Sequence, residues 1–262
     1  MTSDPAARPA WLPGPPPGPG QRVAVVTGAS GGLGRGIAEA LAHAGFFLVL
    51  QYHRNEARAL ALRDRLGKEA RVTLVHADLS TRAGAEQVVR AALDEHGELA
   101  VLVNNAAVKH DAKVVDITDE QWEDTLRVNL TSAMYTTRAA LPAMYQQRYG
   151  RVIHVTSIGA QTGFIATGAY AAAKAGLIGF TRVVAVEGAK KGVTCNAVAP
   201  GLIEAGLGET LHPKFHERLI MNIPSGVPGE PGDVGRLVAF LASPGAGYIS
   251  GQVLSVNGAL YM

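Results

Sequence analysis

Short apolar runs alternate with longer amphipathic stretches from Arg22 to the end of the chain, and this alternation constrains the fold more than any other feature. Several of the short runs are apolar almost throughout, which is typical of strands covered on both faces. The pattern predicts an α/β fold with a doubly wound, mainly parallel, seven-stranded sheet. The predicted strands are residues 23–28, 46–52, 72–78, 99–106, 151–157, 193–200 and 252–258. The predicted helices are residues 33–45, 55–67, 82–96, 119–147, 169–189 and 231–242.

Composition divides the 262 residues into a leader and one domain. Residues 1–20 hold seven of the fourteen prolines and lack the apolar core of a signal peptide. We therefore expect a disordered, proline-rich leader, followed by a single domain over residues 21–262.

Charge and apolar content exclude several classes of protein. The net charge is +2, and no run of lysine or arginine marks a nucleic-acid surface. No apolar run approaches the ~18–20 residues that span a membrane, so we expect a soluble protein with no membrane partner. The single cysteine, Cys195, has apolar neighbours and is expected to be a buried thiol, which fits a reducing cytoplasm.

A glycine-rich turn follows the first predicted strand. The sequence TGASGGLG covers residues 27–34 and leads into an alanine-rich helix. Glycines allow a tight turn and a close approach of main-chain N–H groups to a ligand, and the helix N-terminus behind them favours a pyrophosphate. The turn therefore predicts a dinucleotide-binding fold of the Rossmann type. Its predicted cofactor contacts are Gly28, Ser30, Gly32, Leu33 and Gly34.

The end of the second predicted strand indicates which dinucleotide binds. Folds that prefer NAD carry an acidic residue there, which holds the ribose 2′-hydroxyl. This chain has His53, Arg54 and Asn55 instead, and its first carboxylate is Glu56 in the next helix. A guanidinium without a competing carboxylate suits a 2′-phosphate, so NADP(H) is favoured over NAD(H). The alternative is that Arg54 is a solvated loop residue.

The candidate catalytic residues are Asn129, Ser157, Tyr170 and Lys174. Tyr170 and Lys174 are four residues apart in AYAAAKAG, a spacing that puts both on one face of a helix. With TGASGGLG, NNAA at residues 104–107 and PG at residues 200–201, this set resembles the short-chain dehydrogenase/reductase family over residues 22–262. Each residue alone also has a structural interpretation, such as an interface tyrosine or a surface lysine.

The resemblance implies a reaction in which a ketone gains a hydride on carbon and a proton on oxygen. Tyr170 would be the general acid, and Ser157 would polarise the carbonyl. Lys174 would hold the nicotinamide ribose and, with the oxidised nicotinamide nearby, lower the pKa of Tyr170 from its ordinary value near ~10. Asn129 would hold a water that links Lys174 to bulk solvent.

The same resemblance implies further cofactor contacts at Asp78, Leu79, Asn104, Asn105, Ala106, Ala107, Pro200, Gly201 and Ile203. Asp78 would hold the adenine amino group, and the proline and glycine would lie beside the nicotinamide. Four positions depart from the family pattern. Ala107 replaces a usual glycine, and Ala205 replaces a usual threonine whose hydroxyl meets the nicotinamide carboxamide. Gly206 stands where an aspartate is common, and Gly31 stands where NADP-using members often carry arginine or lysine.

Within the family, the sequence is most similar to 3-oxoacyl-[acyl-carrier-protein] reductases, through GRVIHVTS at residues 150–157, NAVAPGLIE at 196–204 and the segment 248–262. This similarity implies NADP(H)-dependent reduction of a 3-oxoacyl thioester in fatty-acid or polyketide-type biosynthesis, with acyl carrier protein as partner and a homotetrameric assembly. Arg148 and Lys191 match two basic residues that dock the carrier beside the active-site entrance. The alternative is that they are ordinary cations at helix ends.

Two other functions stay open from the sequence. The same residues could reduce a free ketone or sugar, or oxidise a secondary alcohol, and a nucleotide-binding scaffold would need no turnover. The complete catalytic set argues against the scaffold. His212 and His216 form H-x3-H but lack the companion glutamate, so we expect no metal site. Ser157 lacks the G-x-S-x-G elbow of serine hydrolases.

Overall fold

The structure is a computed structural model that describes residues 22–68, 70–206 and 213–262. The predicted leader and His212 lie outside the described residues. Seven strands form one sheet in the order β3-β2-β1-β4-β5-β6-β7, and every neighbouring pair is parallel. They are β1 (Val23–Val26), β2 (Phe47–Tyr52), β3 (Val72–His76), β4 (Val101–Asn104), β5 (Gly150–Val155), β6 (Val193–Pro200) and β7 (Val253–Val256). The predicted doubly wound sheet is confirmed, and it is parallel throughout.

Helices cover both faces of the sheet. They are α1 (Gly32–His43), α2 (Glu56–Leu66), α3 (Arg82–His96), α4 (Asp119–Leu126), α5 (Ser132–Gln147), α6 (Gly168–Gly188), α7 (Pro213–Asn222) and α8 (Pro231–Ala242). Residues 119–147 are helical throughout, as predicted, but a π-helical turn at Arg127–Thr131, which was not predicted, lies between α4 and α5. Helix α7 was not predicted. Short 3-10 turns lie at Val114–Asp116, Ile158–Ala160, Ala189–Lys191 and Pro244–Ala246.

Alternate residues of the strands point to opposite faces of the sheet, and each face has its own apolar core. One core includes Ala24, Val26, Ile37, Leu41 and Val238. The other includes Val23, Val25, Val88, Met144 and Val184. The strands are therefore enclosed on both sides, as their nearly continuous apolar sequences predicted.

Helices α1 and α8 approach each other closely on the first face. A Cβ atom on Gly235 would lie 2.4 Å from the carbonyl oxygen of Gly36. A Cβ atom on Gly36 would in turn lie 2.5 Å from the Cβ of Pro231. Glycine at both places is what allows the two backbones to touch.

Helix α6 and the turn after it, Gly168–Lys191, are 24 residues long and contain an 18-residue window with a mean hydropathy of 1.3, so they could cross a membrane by length and composition alone. The prediction that no run reaches this length is therefore wrong. Small apolar residues raise the hydropathy of the helix because it packs on the sheet. Its Val184 and Ala185 share a core cluster with Val193 and Cys195 of β6. Cys195 is buried, as predicted, and burial raises the pKa of its thiol.

Candidate active site

A cavity of about 780 Å³ lies at the carboxyl ends of the strands. The strand order reverses between β1 and β4, and in open parallel sheets ligands bind at such a reversal. The predicted cofactor contacts that line the cavity are Gly28, Ser30, Gly32, Leu33, Gly34, His53, Arg54, Asn55, Asp78, Leu79, Asn105, Ala106, Ala107, Pro200, Gly201 and Ile203. Ser157, Tyr170 and Lys174 line it too. Of the predicted catalytic and cofactor residues, Asn104 and Asn129 do not line the cavity but lie behind the residues that do.

The glycine-rich turn has the geometry of an anion cradle. Gly28 has a positive φ of 62°, and a Cβ atom there would lie 2.8 Å from the Cα of Ala106. A Cβ atom on Gly34 would lie 2.4 Å from the carbonyl oxygen of Gly28. Glycine also stands at the N-cap of α1, so no side chain caps the helix. The N–H groups of its first turn are thus available to a phosphate.

Buried side chains fix the position of this turn. Gln51 accepts a hydrogen bond from the N–H of Gly28 at 2.8 Å and donates to the carbonyl of Ala77 at 2.7 Å. The Thr27 hydroxyl accepts from the N–H groups of Asn105 (2.9 Å) and Ala106 (3.0 Å). The Asn105 side chain donates to the carbonyl of Thr27 at 2.8 Å. Asn105 therefore supports the turn, and sequence reasoning missed Gln51 because a glutamine within a strand carries no motif.

The far end of the cavity combines cations with one carboxylate. Burial raises the pKa of Asp78, but a hydrogen bond from the N–H of Ser80 and the nearby His53 and Arg54 outweigh it, so the pKa is lowered and the group is a carboxylate at neutral pH. Asn55 caps α2 by accepting from the N–H of Arg58 at 3.1 Å. Arg58 itself lines the cavity and was not predicted, although its four-residue spacing from Arg54 was a readable signal.

Ser157, Tyr170 and Lys174 converge from two elements. Ser157 follows β5, and its hydroxyl accepts from the N–H of Gly159 at 3.1 Å. The other two residues lie on α6, where the Lys174 Nζ is 5.7 Å from the centroid of the Tyr170 ring. Lys174 is 2% exposed and donates to the carbonyl of Val155 at 2.7 Å. The Thr156 hydroxyl donates to the carbonyl of Lys174 at 2.9 Å, which ties α6 to the end of β5.

The pKa values of the pair differ from the sequence-based expectation. Burial raises the pKa of Tyr170 to about 12, against a smaller lowering effect of a hydrogen bond with Ser157. Burial also lowers the pKa of Lys174 to about 8. In the protein alone, removal from water therefore dominates the pKa of the tyrosine, and its expected lowering by the lysine together with the oxidised nicotinamide stays a prediction. The phenol is protonated at neutral pH.

Asn129 lies in the π-helical turn and is 1% exposed. Its side-chain oxygen accepts from the N–H of Val108 at 2.7 Å, and its side-chain nitrogen donates to the carbonyl of Val108 at 2.8 Å. Both polar ends of the amide are thus bound to one residue of the cavity wall. The side chain fixes that wall and does not point into the cavity.

A buried polar network lies behind the site. Thr136 and Thr137 of α5 bond to the Asn104 side chain at 2.6 and 3.1 Å. His154 of β5 contacts Thr181 of α6 at 2.9 Å. Burial, together with the nearby lysine, lowers the pKa of His154 to about 3, so the imidazole is neutral. Asn104 therefore has a structural position, and the network joins the elements that carry the candidate catalytic groups.

The loop after β6 closes the remaining side of the cavity. A Cβ atom on Gly201 would lie 2.8 Å from the Cβ of Asn257, so this turn needs glycine. Ile203 pairs with Gly229 in an isolated bridge. Ala205 is buried, and a Cβ atom on Gly32 would lie 2.6 Å from the Cβ of Ala205. In place of the usual threonine, Ala205 packs against the glycine-rich turn.

Arg148 and Lys191 lie at the amino-terminal ends of the strands, on the side of the sheet opposite the cavity. Arg148 ends α5 just before β5, and Lys191 ends the turn just before β6. The cavity lies beyond the other ends of these strands, and a six-residue strand is about 20 Å long. The expectation that both residues flank the entrance of this chain's own site is therefore wrong.

No group of three or more His, Cys, Asp or Glu side chains within residues 22–68, 70–206 and 213–262 could hold a metal ion. The predicted H-x3-H pair includes His212, which is outside these ranges.

Comparison with known proteins adds to this geometry. Residues 28–260 match a family model described as enoyl-(acyl carrier protein) reductase. The chain is 40% identical over 241 residues to the 3-oxoacyl-[acyl-carrier-protein] reductase of Vibrio cholerae, which covers 92% of this chain and 98% of that protein. It is 39% identical over the same shares to the enzyme of that name in Escherichia coli. It is also 38% identical over 242 residues to the acetoacetyl-CoA reductase of Rhizobium meliloti, again over 92% and 98% of the two chains.

The matches cover nearly all of the domain that carries the cavity, including the glycine-rich turn and the tyrosine–lysine pair. The chain belongs to the short-chain dehydrogenase/reductase family of oxidoreductases, which act on ketone or hydroxyl groups with a nicotinamide cofactor.

Proposed function

We propose that the protein reduces a 3-oxoacyl thioester on acyl carrier protein to the 3-hydroxyacyl product, with NADPH as the reductant, in fatty-acid or polyketide-type biosynthesis. The observation that carries the proposal is the convergence of Ser157, Tyr170 and Lys174 on one cavity with a glycine cradle. The names of the relatives supply the substrate class. We also propose residues 21–262 as the catalytic domain, a homotetramer and a cytoplasmic location.

The residues present fit a dinucleotide. The uncapped N-terminus of α1 and Gly28 would hold the pyrophosphate, and Asp78 would accept from the adenine amino group. Arg54 and Arg58, with no carboxylate at the end of β2, would bind a 2′-phosphate. When bound, the nicotinamide supplies the hydride to the substrate carbon.

Tyr170 would deliver the proton. Because its pKa is about 12, the phenol is protonated at neutral pH and can donate to the oxygen that becomes the hydroxyl. Ser157 would bond to the same oxygen and stabilise the charge that develops there. Lys174, with a pKa of about 8, is close enough to neutrality to return a proton to the tyrosine.

Asn129 would act by position. Its side chain fixes Val108 in the cavity wall, so any water that it holds would have to use another atom of this segment. The predicted water relay stays a prediction.

Docking of the carrier stays a prediction as well, in a changed form. Arg148 and Lys191 lie at the ends of the strands that are far from the cavity of their own chain. They could therefore guide an acidic carrier only to the site of a second copy of the chain. A charge-reversed variant, Arg148→Glu with Lys191→Glu, should raise the KM for carrier-bound substrate and leave the KM for a free thioester unchanged.

The decisive experiment follows NADPH absorbance with a panel of substrates. We expect turnover of 3-oxoacyl thioesters and none of 2-enoyl thioesters, the class suggested by the description of the family model. Tyr170→Phe should lose at least about a hundred-fold in kcat, the usual contribution of a general acid. Turnover of free cyclic ketones or sugars alone would favour the second function. Binding of NADPH without any turnover would favour a scaffold.

Cofactor preference is tested separately. Arg54→Glu with Arg58→Glu should raise the KM for NADPH about ten-fold or more, because each charged hydrogen bond contributes about 1.5–3 kcal/mol. The KM for NADH should change little. Lys68→Glu, at an exposed cation just past α2, is the matched control. Equal effects on both cofactors would contradict a 2′-phosphate site.

A further inference from the structure

We propose that Val114, Val115 and Ile165 form an apolar rim that binds the acyl chain of the substrate and sets the preference for chain length. The inference rests on the proposed function for the identity of the substrate. Its three side chains are 80%, 88% and 83% exposed, respectively. Large aliphatic groups that are so open to water raise the question of what covers them.

The three residues come from two segments that the fold joins. Val114 and Val115 lie in a 3-10 turn after β4, and Ile165 lies in the loop between β5 and α6. Ala112 and Thr167 pair in an isolated parallel bridge, and the N–H of Ala112 donates to the carbonyl of Ala166 at 3.0 Å. Because the bridge is parallel, Val114 continues toward Gly168 while Ile165 precedes Thr167, so the valines and the isoleucine flank Thr167 of the cavity from its two sides.

The backbone at the isoleucine is held in an uncommon conformation. Ala166 has a φ of 65°, in the left-handed region that residues with a Cβ atom rarely adopt. Such strain persists only where surrounding contacts impose it, and it gathers at ligand sites. Here it turns the chain between Ile165, which faces solvent, and Thr167, which lines the cavity.

The rim is continuous with the catalytic residues. A Cβ atom on Gly168, two residues before Tyr170, would lie 3.6 Å from a methyl group of Val114. Phe164, next to Ile165, lines the cavity with Tyr170. Its ring is nearly perpendicular to the Phe215 ring of α7, with 6.4 Å between their centroids. An apolar path thus leads from the reacting carbon out to the rim.

The chemistry of the substrate selects the occupant. A 3-oxoacyl thioester has two arms, a pantetheine arm with amides and an alkyl chain without polar atoms. The alkyl chain gains more than the pantetheine arm by covering valine and isoleucine side chains, because the amides and hydroxyl of that arm would lose water there. Complete burial of one methylene changes a binding constant about four-fold, so a rim that covers one side of the chain should give about two-fold per methylene.

The test compares the wild type with the double variant Val115→Ser, Ile165→Ser. Both residues are exposed, so folding should be unaffected. With 3-oxobutanoyl and 3-oxooctanoyl thioesters, which differ by four methylenes, the wild type should favour the longer substrate about sixteen-fold in kcat/KM. The variant should lose most of that preference and keep its rate on the short substrate within about two-fold. Val186→Ser is the control, since Val186 is 78% exposed and about 24 Å from Tyr170 along α6.

Parallel measurements separate this inference from the proposed function. Equilibrium binding of butanoyl and octanoyl thioesters, which have no ketone, is measured on the same proteins. Chain-length-dependent binding that the double variant abolishes would support the rim even if no thioester were reduced, an outcome that would reject only the proposed function. An unchanged chain-length preference in the double variant would overturn the rim. The rim would also be overturned if the double variant changed its oligomeric state by light scattering but kept the chain-length preference. A second copy of the chain would then be what covers the three residues.

Discussion

Lys174 combines a predicted role in turnover with a cost to the folded state. Its side chain is 2% exposed, and burial lowers its pKa from 10.5 to about 8, with no carboxylate among the causes. Folding therefore places an ammonium where the neutral amine is favoured. Lys174→Met removes that charge while filling a similar volume, so it should abolish turnover without unfolding the protein.

The size and sign of the effect follow from linkage. Between pH 8 and 10.5 the unfolded chain binds more protons at this lysine than the folded chain, so its contribution to stability rises with pH. At pH 7 the lysine lowers the free energy of unfolding by about 3 kcal/mol, and near pH 9.5 by about 1 kcal/mol. The variant also leaves the carbonyl of Val155 without its lysine donor, which costs about 1–3 kcal/mol at any pH.

The variant should thus be at least as stable as the wild type at pH 7. Its advantage should shrink by about 2 kcal/mol by pH 9.5. Urea unfolding at both pH values measures the difference, and Lys191→Met, at an exposed lysine, is the matched control. A stability difference that does not change with pH would refute the reasoning, because the pKa of Lys174 would then not be lowered by folding.

Two further predictions concern the glycine-rich turn and the adenosine end. Gln51→Leu leaves the N–H of Gly28 and a second main-chain group without partners, so we expect a loss of about 2–4 kcal/mol in urea unfolding, with a higher KM for the cofactor. A loss below about 0.5 kcal/mol would contradict it. Gly84→Ala puts a Cβ atom 2.0 Å from the carbonyl oxygen of Asp78. The free energy of unfolding should therefore fall by about 1–3 kcal/mol, which a lower melting temperature would show. Gly179→Ala, in a helix with no atom near the new Cβ, should be neutral or stabilising.

The sheet could be predicted because its strands are enclosed on both faces, which leaves a nearly continuous apolar signature. The site residues could be placed because a turn after β1, a serine after β5 and a tyrosine–lysine pair on α6 all lie at the carboxyl ends of strands. The π-helical turn could not be predicted, since residues 119–147 keep a helical pattern throughout. The direction of the Asn129 side chain depends on Val108, a contact that no local pattern records.

The predicted position of the docking residues was wrong because it ignored the direction of the strands. Arg148 and Lys191 precede strands, and in a parallel sheet residues before a strand lie opposite those after it. The sequence contained that information. The raised pKa of Tyr170 in the protein alone could not be predicted from the sequence, because the burial that raises it depends on the whole surrounding structure.

The contact between α1 and α8 has a consequence for how the chain folds during synthesis. Gly36 and Gly235 touch across a separation of about 200 residues. At about 5–20 residues per second, a ribosome takes about 10–40 s to make the intervening chain. The apolar face of α1 stays without its partner for that time, and β1 waits for β4 as well. The nascent chain should therefore need protection from aggregation until its last helix has emerged, and a chain that stops before Pro231 should not reach the native state.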